Sequence, residues 1–499
     1  MNLQDARIPL GPWLPDLPFY ENPGLVEAKN CIPVDKYYQS YLPLVTTGDA
    51  LTARVIGAFA ALDTSGDTFI YAGIDSALYL KNGSSWTDLG TAFTTADTGY
   101  WRFAQFDTTI IATNFSDLPR AITPGASTSA ALATSGTAPK GRQVGVINRF
   151  VVIGDTDYAG DLIPHRIQWS ALGTARDWPI PNTSDARTKQ SGEQVLPAMY
   201  GAVTAIGSGE FFGLIFQRRA ITRATYVGGD VVFQFQDYEK TRGCWFPQSM
   251  IQVGNLWYFI AADGFYVTDG TSVTAIGDGK FDKTFFADCD QTYAERVTAA
   301  YDYTTKCVMW SYPNFSATDG IPNRLIIFST VDGRATNVDD TMELIFPSVS
   351  DGYTLEQLDA LYGDLDSIPG SLDSPIFQGG ANTVMAFAND HTIGTFSGTA
   401  LTARFDTAEF DFNPMGYMFV RGVRPRVTGS PTGITIAISS RENQDDESRT
   451  FGTATSRTAR TGICDFRENV KYGSLRCEVI GGFDKALGLD VDGEAGDLV

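Results

Sequence analysis

The chain has 499 residues, 43% of them hydrophobic, and 58 acidic against 37 basic side chains give a formal net charge of −21. This length supplies ample material for a core, either in two or three ordinary domains or in one large repeated β architecture. The net charge has the wrong sign for a protein that binds nucleic acid by displacing the counterions of the phosphates, so we do not expect a tight DNA binder.

The N-terminal segment is rich in regularly spaced prolines. Pro9, Pro12, Pro15 and Pro18 recur at every third residue, which is the period of a polyproline II helix. Residues 1–50 are therefore predicted to form an extended strap, lying on the protein's own surface or reaching a neighbouring subunit. The segment shows no basic start followed by an apolar stretch, so no secretory signal is predicted, and we expect synthesis in a cytoplasm.

From residue 51 to residue 410 the sequence repeats one pattern of apolar run, Gly- or Asp-centred turn and apolar run. This pattern, with 50 glycines in the chain, predicts an all-β protein. Steps of roughly 40 to 75 residues between the runs fit four-stranded propeller blades, some with insertions, and predict a β-propeller of six or seven irregular blades. The runs are centred on Phe69–Tyr71, Thr109–Ile111, Phe150–Ile153, Phe212–Phe216, Trp257–Ile260, Val308–Trp310 and Val384–Phe387.

Three local features complete the predicted organisation. Leucines at helical spacing among acidic residues predict a short acidic helical insertion near residues 354–374. Alternating apolar and polar residues return after Phe410, so residues 411–499 are predicted to form a small β-sandwich or β-extension. The pair Asp263-Gly264 predicts a tight turn in which the glycine has a positive φ.

A search for catalytic chemistry finds no signature. His165 and His391 are the two histidines of the chain, and most hydrolytic triads and zinc sites need that residue type. No Cys-x-x-Cys pair occurs among the six cysteines, which are expected to be reduced and mostly buried, with a Cys464–Cys477 disulfide as the minor alternative. The protein is predicted to be non-enzymatic and to need no cofactor or metal.

Positive charge is concentrated locally at Arg218, Arg219 and Arg223. If this segment is a strand, Arg219 and Arg223 share one face and Arg218 lies on the other, so the charges do not form a single stripe. Structural ion pairs with neighbouring acids are one interpretation. Contact with DNA in a channel, or with an acidic partner subunit, is the other.

An ordered series of segments resembles a family of bacteriophage virion proteins. The longest is FQRRAITRATYVGGDVVFQFQDYEKTRG at 216–243, and it is followed by GNLWYF at 254–259, DGF at 263–265 and IGDGK at 276–280. Further pieces are NPGLVEAKNCIPV at 22–34, RIQWS at 166–170, TLEQLD at 354–359, SLDS at 371–374 and FSG at 396–398. The series is most similar to the tail nozzle or tail hub proteins of short-tailed phages, also called packaged-DNA stabilisation proteins.

The resemblance implies a β-propeller that assembles as a ring, usually a hexamer, below the portal and the tail adaptor protein. Such a ring continues the channel that retains packaged double-stranded DNA and conducts it during ejection, and it carries tail fibre or tail-tip proteins. An acidic wall would repel the passing phosphates, although solubility alone also accounts for acidity. The acidic ending at 488–499 departs from the basic finish expected in many relatives.

Two other function classes remain open at the sequence level. A phage-borne propeller that binds or cleaves host surface glycans would need a groove with a carboxylate pair roughly 5 to 9.5 Å apart. The repeated Ser-x-Asp-x-Gly-x-x-Trp box of sialidases is absent from the sequence. A monomeric scaffold propeller that binds peptides is the third class.

Overall fold

The computed structural model describes residues 6–19, 21–349, 364, 382–411, 417–442 and 449–495. Its first part contributes strands to three different regions of the fold, although a single extended strap was predicted for residues 1–50. The five N-terminal strands are β1 (Ala6–Pro9), β2 (Leu25–Lys29), β3 (Cys31–Val34), β4 (Tyr37–Ser40) and β5 (Leu44–Thr47).

Blades 1 and 2 are antiparallel four-stranded sheets, each built from strands that follow one another along the chain. Blade 1 comprises β6 (Gly57–Leu62), β7 (Thr68–Gly73), β8 (Ala77–Asn82) and β9 (Ser85–Thr91). Blade 2 comprises β10 (Arg102–Phe106), β11 (Thr109–Thr113), β12 (Arg120–Ile122) and β13 (Ala130–Ala131).

Blade 3 carries the longest internal connection among these local blades, because β14 and β18 form a separate parallel pair outside its sheet. A short helix, α1, also lies in the connection that leads to its last strand. The elements are β14 (Ser135–Gly136), β15 (Lys140–Ile147), β16 (Phe150–Tyr158), β17 (Asp161–Trp169), β18 (Asp177–Trp178), α1 (Ser184–Thr188) and β19 (Gly192–Val195).

Blades 4 and 5 return to the simple four-stranded pattern. A 3-10 turn at Ala198–Tyr200 leads into blade 4. Blade 4 comprises β20 (Val203–Gly207), β21 (Phe212–Gln217), β22 (Ile221–Gly228) and β23 (Val232–Glu239). Blade 5 comprises β24 (Ile251–Val253), β25 (Leu256–Ile260), β26 (Phe265–Thr268) and β27 (Val273–Ala275).

Blades 6 and 7 both pair with N-terminal strands. Helix α2 (Asp282–Asp288) and 3-10 turns at Gln291–Arg296 and Thr318–Gly320 accompany blade 6. Its strands are β28 (Thr298–Asp302), β29 (Cys307–Tyr312), β30 (Arg324–Ser329) and β31 (Ala335–Asp339), and β31 pairs with β2. Blade 7 comprises β32 (Leu344–Val349), β33 (Asn382–Phe387), β34 (Ile393–Phe396) and, as its outer strand, β5.

The seven sheets among the described residues close into a ring. The first strand of each blade is innermost, and contacts between these strands run from β24 through β28, β32, β6, β10 and β15 to β20. The remaining joint, between blades 4 and 5, is apolar, with the rings of Phe216 and Phe259 5.2 Å apart. The protein is therefore a β-propeller, as predicted, and its described part has seven blades.

Each predicted apolar run falls on the second strand of one blade, from β7 in blade 1 to β33 in blade 7. These strands are predominantly apolar and buried because both faces of a blade pack against neighbouring blades. In β16, for example, the first seven residues are all buried.

The C-terminal strands form a β-sandwich together with N-terminal strands. One sheet has the order β3-β4-β42-β37-β40, with β1 also paired to β42; the other continues blade 6 through β31-β2-β35-β41-β38-β39. One apolar core joins both sheets to blades 5 and 6. The strands are β35 (Ala403–Thr407), β36 (Phe410–Asp411), β37 (Met418–Gly429), β38 (Gly433–Arg441), β39 (Thr455–Ser456), β40 (Cys464–Val470), β41 (Tyr472–Ile480) and β42 (Phe483–Ala495).

The structure bears on three further sequence predictions: the sandwich boundary, the helical insertion and the turn at Gly264. The sandwich begins at β35, before the predicted boundary at residue 410. The helical insertion predicted near 354–374 lies outside the described residues except for Asp364. The positive φ predicted for Gly264 is wrong, because Gly264 is not among the glycines with left-handed backbone. A glycine is needed there for space, since a Cβ would lie 2.3 Å from the carboxylate of Asp282.

Candidate assembly surfaces and the closed channel

The predicted arginine group does not lie on one strand. Arg218 and Arg219 are exposed in the turn between β21 and β22, and Arg223 is half-buried on β22. Arg218 stacks over the ring of Trp245 at 5.3 Å, and Arg223 over Phe212 at 3.9 Å. Within the described ranges none of the three forms an ion pair, and Arg218 and Arg223 make cation–π contacts with aromatic rings instead.

The predicted proline strap lies on the protein's own surface. Pro9 pairs with Gly488 at the end of β1, and the chain turns at Pro15. Pro9 and Pro18 are exposed, whereas Pro12 and Pro15 are half-buried. The four rings therefore do not form one continuous polyproline face.

Non-proline side chains of the strap make its main contacts. Trp13 is buried, its ring stacks on Phe281 at 5.8 Å, and its Nε1 donates to the carbonyl of Val26 at 3.1 Å. Asp16 accepts hydrogen bonds from the backbone N–H groups of Lys283 at 2.8 Å and Thr284 at 2.9 Å. The strap thus supplies the cap of α2, whose own first flanking residue makes no side-chain cap.

The central channel of the propeller is crossed by one side chain. Arg102, at the start of β10, donates from Nε to Oε1 of Gln143 at 3.2 Å and from Nη2 to the carbonyl of Pro247 at 2.8 Å. Gln143 belongs to blade 3, and Pro247 lies in the segment entering blade 5 on the opposite side of the ring. Gln143 in turn donates to the hydroxyl of the buried Tyr100 at 2.6 Å. Arg102 therefore links opposite sides of the channel.

Beside this crossing the channel holds a cavity of about 160 Å³. Its lining includes Phe59, Phe103 and Phe346 from the inner strands of three blades, and Met250 from the segment just before the inner strand of blade 5. The cavity has room for several water molecules. Duplex DNA cannot pass through the propeller of a single subunit in this state.

One end of blades 3 and 4 exposes large apolar side chains. The turns at this end are joined, since Asn148 donates its N–H to the carbonyl of Gly209 at 2.7 Å. Tyr226 of β22 also donates its hydroxyl to Gln190 in the connection before β19, at 2.8 Å. We call these side chains the apolar rim: Leu172, Ile180, Phe211, Val227 and Val231, with Phe211 77% exposed and Val231 66%.

The apolar rim is electrically balanced in a chain of charge −21. The turns and the connection that carry it contain four cationic and four anionic side chains. They are Arg149, Arg176, Arg187 and Lys189 against Asp177, Asp185, Glu210 and Asp230. An apolar surface without excess charge is the kind on which a strongly acidic protein can meet a second copy of itself.

Reactive groups elsewhere are buried or engaged. All six cysteines are free and buried, and burial raises the pKa of Cys477 and that of Cys244, the latter to about 11. His391 pairs through Nδ1 with Oε1 of Glu343 at 2.6 Å, and His165 is half-buried on β17.

Over the described ranges no three His, Cys, Asp or Glu residues are grouped as metal ligands. Nor does any described helix have the length and hydropathy to cross a membrane.

No protein-family model and no curated protein matches the sequence. Similar solved structures include a chain of the mitotic checkpoint complex (TM-score 0.40, 8% identity), covering 73% of this chain and 96% of that one. A second is the computationally designed protein Ika8 (TM-score 0.37, 10% identity). That match covers 71% of this chain and 98% of the Ika8 chain. A third is the extracellular domain of the one component system BT4673 from B. thetaiotaomicron (TM-score 0.39, 9% identity). That match covers 86% of this chain and 47% of the BT4673 chain. Likenesses this distant carry no functional argument, and the propeller assignment rests on strand pairing and ring closure.

Proposed function

We propose that this protein is a structural, non-enzymatic subunit of a bacteriophage tail, where a hexamer forms the distal nozzle ring. The ring would continue the DNA channel below portal and adaptor, retain packaged DNA and conduct it during ejection. The observation that carries the proposal is the ordered series of segments resembling tail nozzle proteins. The longest of them, at 216–243, covers β22 and β23 of blade 4, and the next longest, at 22–34, covers β2 and β3.

The path of DNA in this proposal lies between subunits. Arg102 crosses the propeller's own channel, and the cavity beside it is far too small for a duplex. A ring of six chains would instead surround the duplex with their outer surfaces and carry a formal charge of 6 × −21 = −126. Acidic walls repel phosphates spaced at one charge per roughly 1.7 Å of duplex, which favours sliding over adhesion.

Assembly against this much like charge needs contacts without excess negative charge. The apolar rim meets that requirement, and we propose that it contacts the next subunit of the ring. The strap prolines and Arg218, Arg219 and Arg223 stay candidates for contacts with the ring, the adaptor or DNA, since Pro9, Pro18, Arg218 and Arg219 are exposed. Tail fibre or tail-tip proteins would bind at the distal face.

The location of the protein tests the proposal directly. Virions purified from an infected culture would be imaged by negative stain with an antibody fragment specific for the protein. We expect label in a ring at the distal end of the tail. Label on peripheral spikes, or particles without label, would overturn the assignment, and label on spikes would favour the glycan-binding or glycan-cleaving alternative.

Rim variants test the assembly contact separately. We expect the double variant Phe211→Asp and Val231→Asp to fold but to be missing from particles, because carboxylates in an apolar contact are desolvated without partners. Val331→Asp is the matched control, since Val331 is 56% exposed in a blade 6 turn away from the rim. Equal incorporation of both variants would exclude the rim as the contact while leaving the tail location intact.

A further inference from the structure

The cavity beside Arg102 has the size and the walls of a small-ligand site. Its volume is about 160 Å³, and an apolar cavity of roughly 150 Å³ can hold a benzene molecule. Phe59 and Phe103 line it from blades 1 and 2, with their rings 5.9 Å apart and 9° from parallel. Phe346 and Met250 line it from blade 7 and from the segment before blade 5. A flat apolar group of about one aromatic ring therefore fits against these side chains.

One charged side chain lines the cavity, and its charge is positive. Arg102 is half-buried there, and the other lining residues, which include Gln248 and Thr298, carry no charge. The hydrogen bonds of Arg102 use Nε and Nη2, and both acceptors are neutral. Its Nη1 has no acceptor among the described residues. The cavity thus combines apolar walls with one cation that has unused donors.

Arg120, on β12 of the same blade, shows by contrast what Arg102 lacks. Arg120 also donates to neutral acceptors, from Nε to Oγ of Ser129 at 3.2 Å and from Nη2 to the carbonyl of Ser129 at 2.9 Å. Burial lowers the pKa of both arginines, and at Arg120 the charge of Asp117 opposes this shift. No carboxylate of the described residues opposes it at Arg102. A partly buried charge of this kind is costly unless an anion compensates it.

We propose that the channel cavity binds a small aromatic monocarboxylate, with its ring against Phe59, Phe103 and Phe346 and its carboxylate at Arg102. Hydrogen bonds from a guanidinium to a carboxylate are charge-assisted and belong to the strong class. One positive charge matches one carboxylate, and the apolar walls remove the ring from water. The site lies within one subunit and is independent of the proposed tail function.

Benzoate and benzamide are matched probes, because they share ring and shape and differ in charge. By titration calorimetry on the whole native chain we expect benzoate to bind about tenfold tighter or more. A factor of ten is about 1.4 kcal/mol, and a hydrogen bond to a charged group contributes about 1.5 to 3 kcal/mol. Equal binding of the two probes, or no binding of benzoate, would overturn the proposal. Acetate binding as tightly as benzoate would overturn the assignment to an aromatic ligand.

Two arginine variants test which cation the carboxylate meets. Arg102→Met should weaken benzoate binding about tenfold or more and leave benzamide binding unchanged, because benzamide has no charge to compensate. Arg120→Met is the matched control, since Arg120 has the same kind of neutral acceptors but does not line the cavity. We expect it to bind benzoate as the native protein does. Equal benzoate binding by Arg102→Met and the native protein would contradict the proposal.

Crystals of the native protein soaked in benzoate locate the ligand without any variant, so the test stands even if Arg102→Met does not fold. Electron density for the ring beside Phe59 and Phe103, with the carboxylate at Arg102, supports the proposal. Benzoate density confined to other places, with none in the cavity, would reject it.

Discussion

Blades 1 to 5 and blades 6 and 7 are completed by different routes. Each of the first five is closed by strands from its own stretch of sequence. Blade 7 takes its outer strand from β5, with Ile393 opposite Thr47, and blade 6 continues into the sandwich where Lys29 pairs with Asn337. Local hairpins close short loops, whereas these pairings close loops of several hundred residues at a higher entropic cost. The ring and the sandwich therefore depend on contacts that no single blade contains.

The largest expected effect comes from the long-range sheet of the sandwich. The carboxylate of Asp406 is 4% exposed and accepts two hydrogen bonds from Arg404, at 3.1 and 2.6 Å, and two from Arg476, at 2.9 and 3.0 Å. Burial raises the pKa of Asp406, but these arginines outweigh it and hold the pKa below its usual value. Asp406→Asn should lower the free energy of unfolding by about 3 kcal/mol, because it removes one charge from a buried network. Denaturant titration measures this loss.

An exposed ion pair in a local blade is the control for that variant. Arg242, in the connection between blades 4 and 5, and Asp263, in blade 5, lie 3.1 Å apart, and both side chains are more than 40% exposed. Asp263→Asn should cost less than about 1 kcal/mol, since solvent screens such pairs. Similar losses for the two variants would contradict the distinction between the local blades and the long-range sheet.

The next effect tests the closure of blade 7. A Cβ at Gly394 would lie 2.3 Å from the carbonyl oxygen of Val45, so Gly394→Ala must displace β5. We expect a loss of about 1 to 3 kcal/mol, typical of overpacking, and faster hydrogen exchange in residues 44–47. Gly433→Ala on β38 is the control, because its nearest contact would be an ordinary 3.5 Å. Unchanged exchange at 44–47 in Gly394→Ala would show that β5 is not held by this pairing.

A further effect depends on pH. Burial, with nearby Asp16, Asp278 and Asp263, raises the pKa of Asp282 to about 7. In the unfolded chain the carboxyl of Asp282 ionises near pH 4. Between about pH 4 and about pH 7 the folded state therefore binds one more proton than the unfolded state, and the free energy of unfolding falls as the pH rises through this range. Asp282→Asn should remove this fall and be more stable relative to the native protein at pH 8 than at pH 5. Unfolding titrations of both proteins at both pH values measure the stability difference between variant and native protein. The same difference at pH 5 and pH 8 would show that the pKa of Asp282 is not raised.

The smallest effect tests the strap. Asp16 caps α2 from a distant part of the sequence, and Asp16→Ala should cost about 1 kcal/mol, the usual effect of losing a helix cap. Thermal unfolding measures it, with the exposed Glu21→Ala as control. An equal shift in both variants would indicate that the cap does not hold the strap in place.

The parts of the fold that the sequence predicts are those with a local cause. The second strands of all seven blades are recognisable because packing on both faces favours runs of apolar residues. Outer strands such as β13, a pair of exposed alanines, leave no such pattern. Asp263-Gly264 predicts a turn correctly, but the predicted reason, a positive φ, is wrong. The glycine is needed because its missing side chain leaves room for the carboxylate of Asp282 in α2.

The candidate sites follow the same division. The arginines at 218, 219 and 223 are visible as a cluster, but the aromatic partners of Arg218 and Arg223 are set by the folding of blades 4 and 5. Arg102 is an isolated arginine in the sequence, and nothing around it signals a channel. It meets Gln143 and Pro247 only because elements of separate blades converge on one axis.

The sequence by itself determined the all-β class, the repeated blade unit and the strong acidity, because hydrophobic periodicity, turn residues and charge are properties of short segments. Only the tertiary structure decided that β5 closes blade 7, that β2 links propeller to sandwich and that Arg102 crosses the channel. Those features are contacts between residues far apart in the chain. Their geometry is fixed when the ring closes, by packing and hydrogen bonding that leave no periodic trace in the sequence.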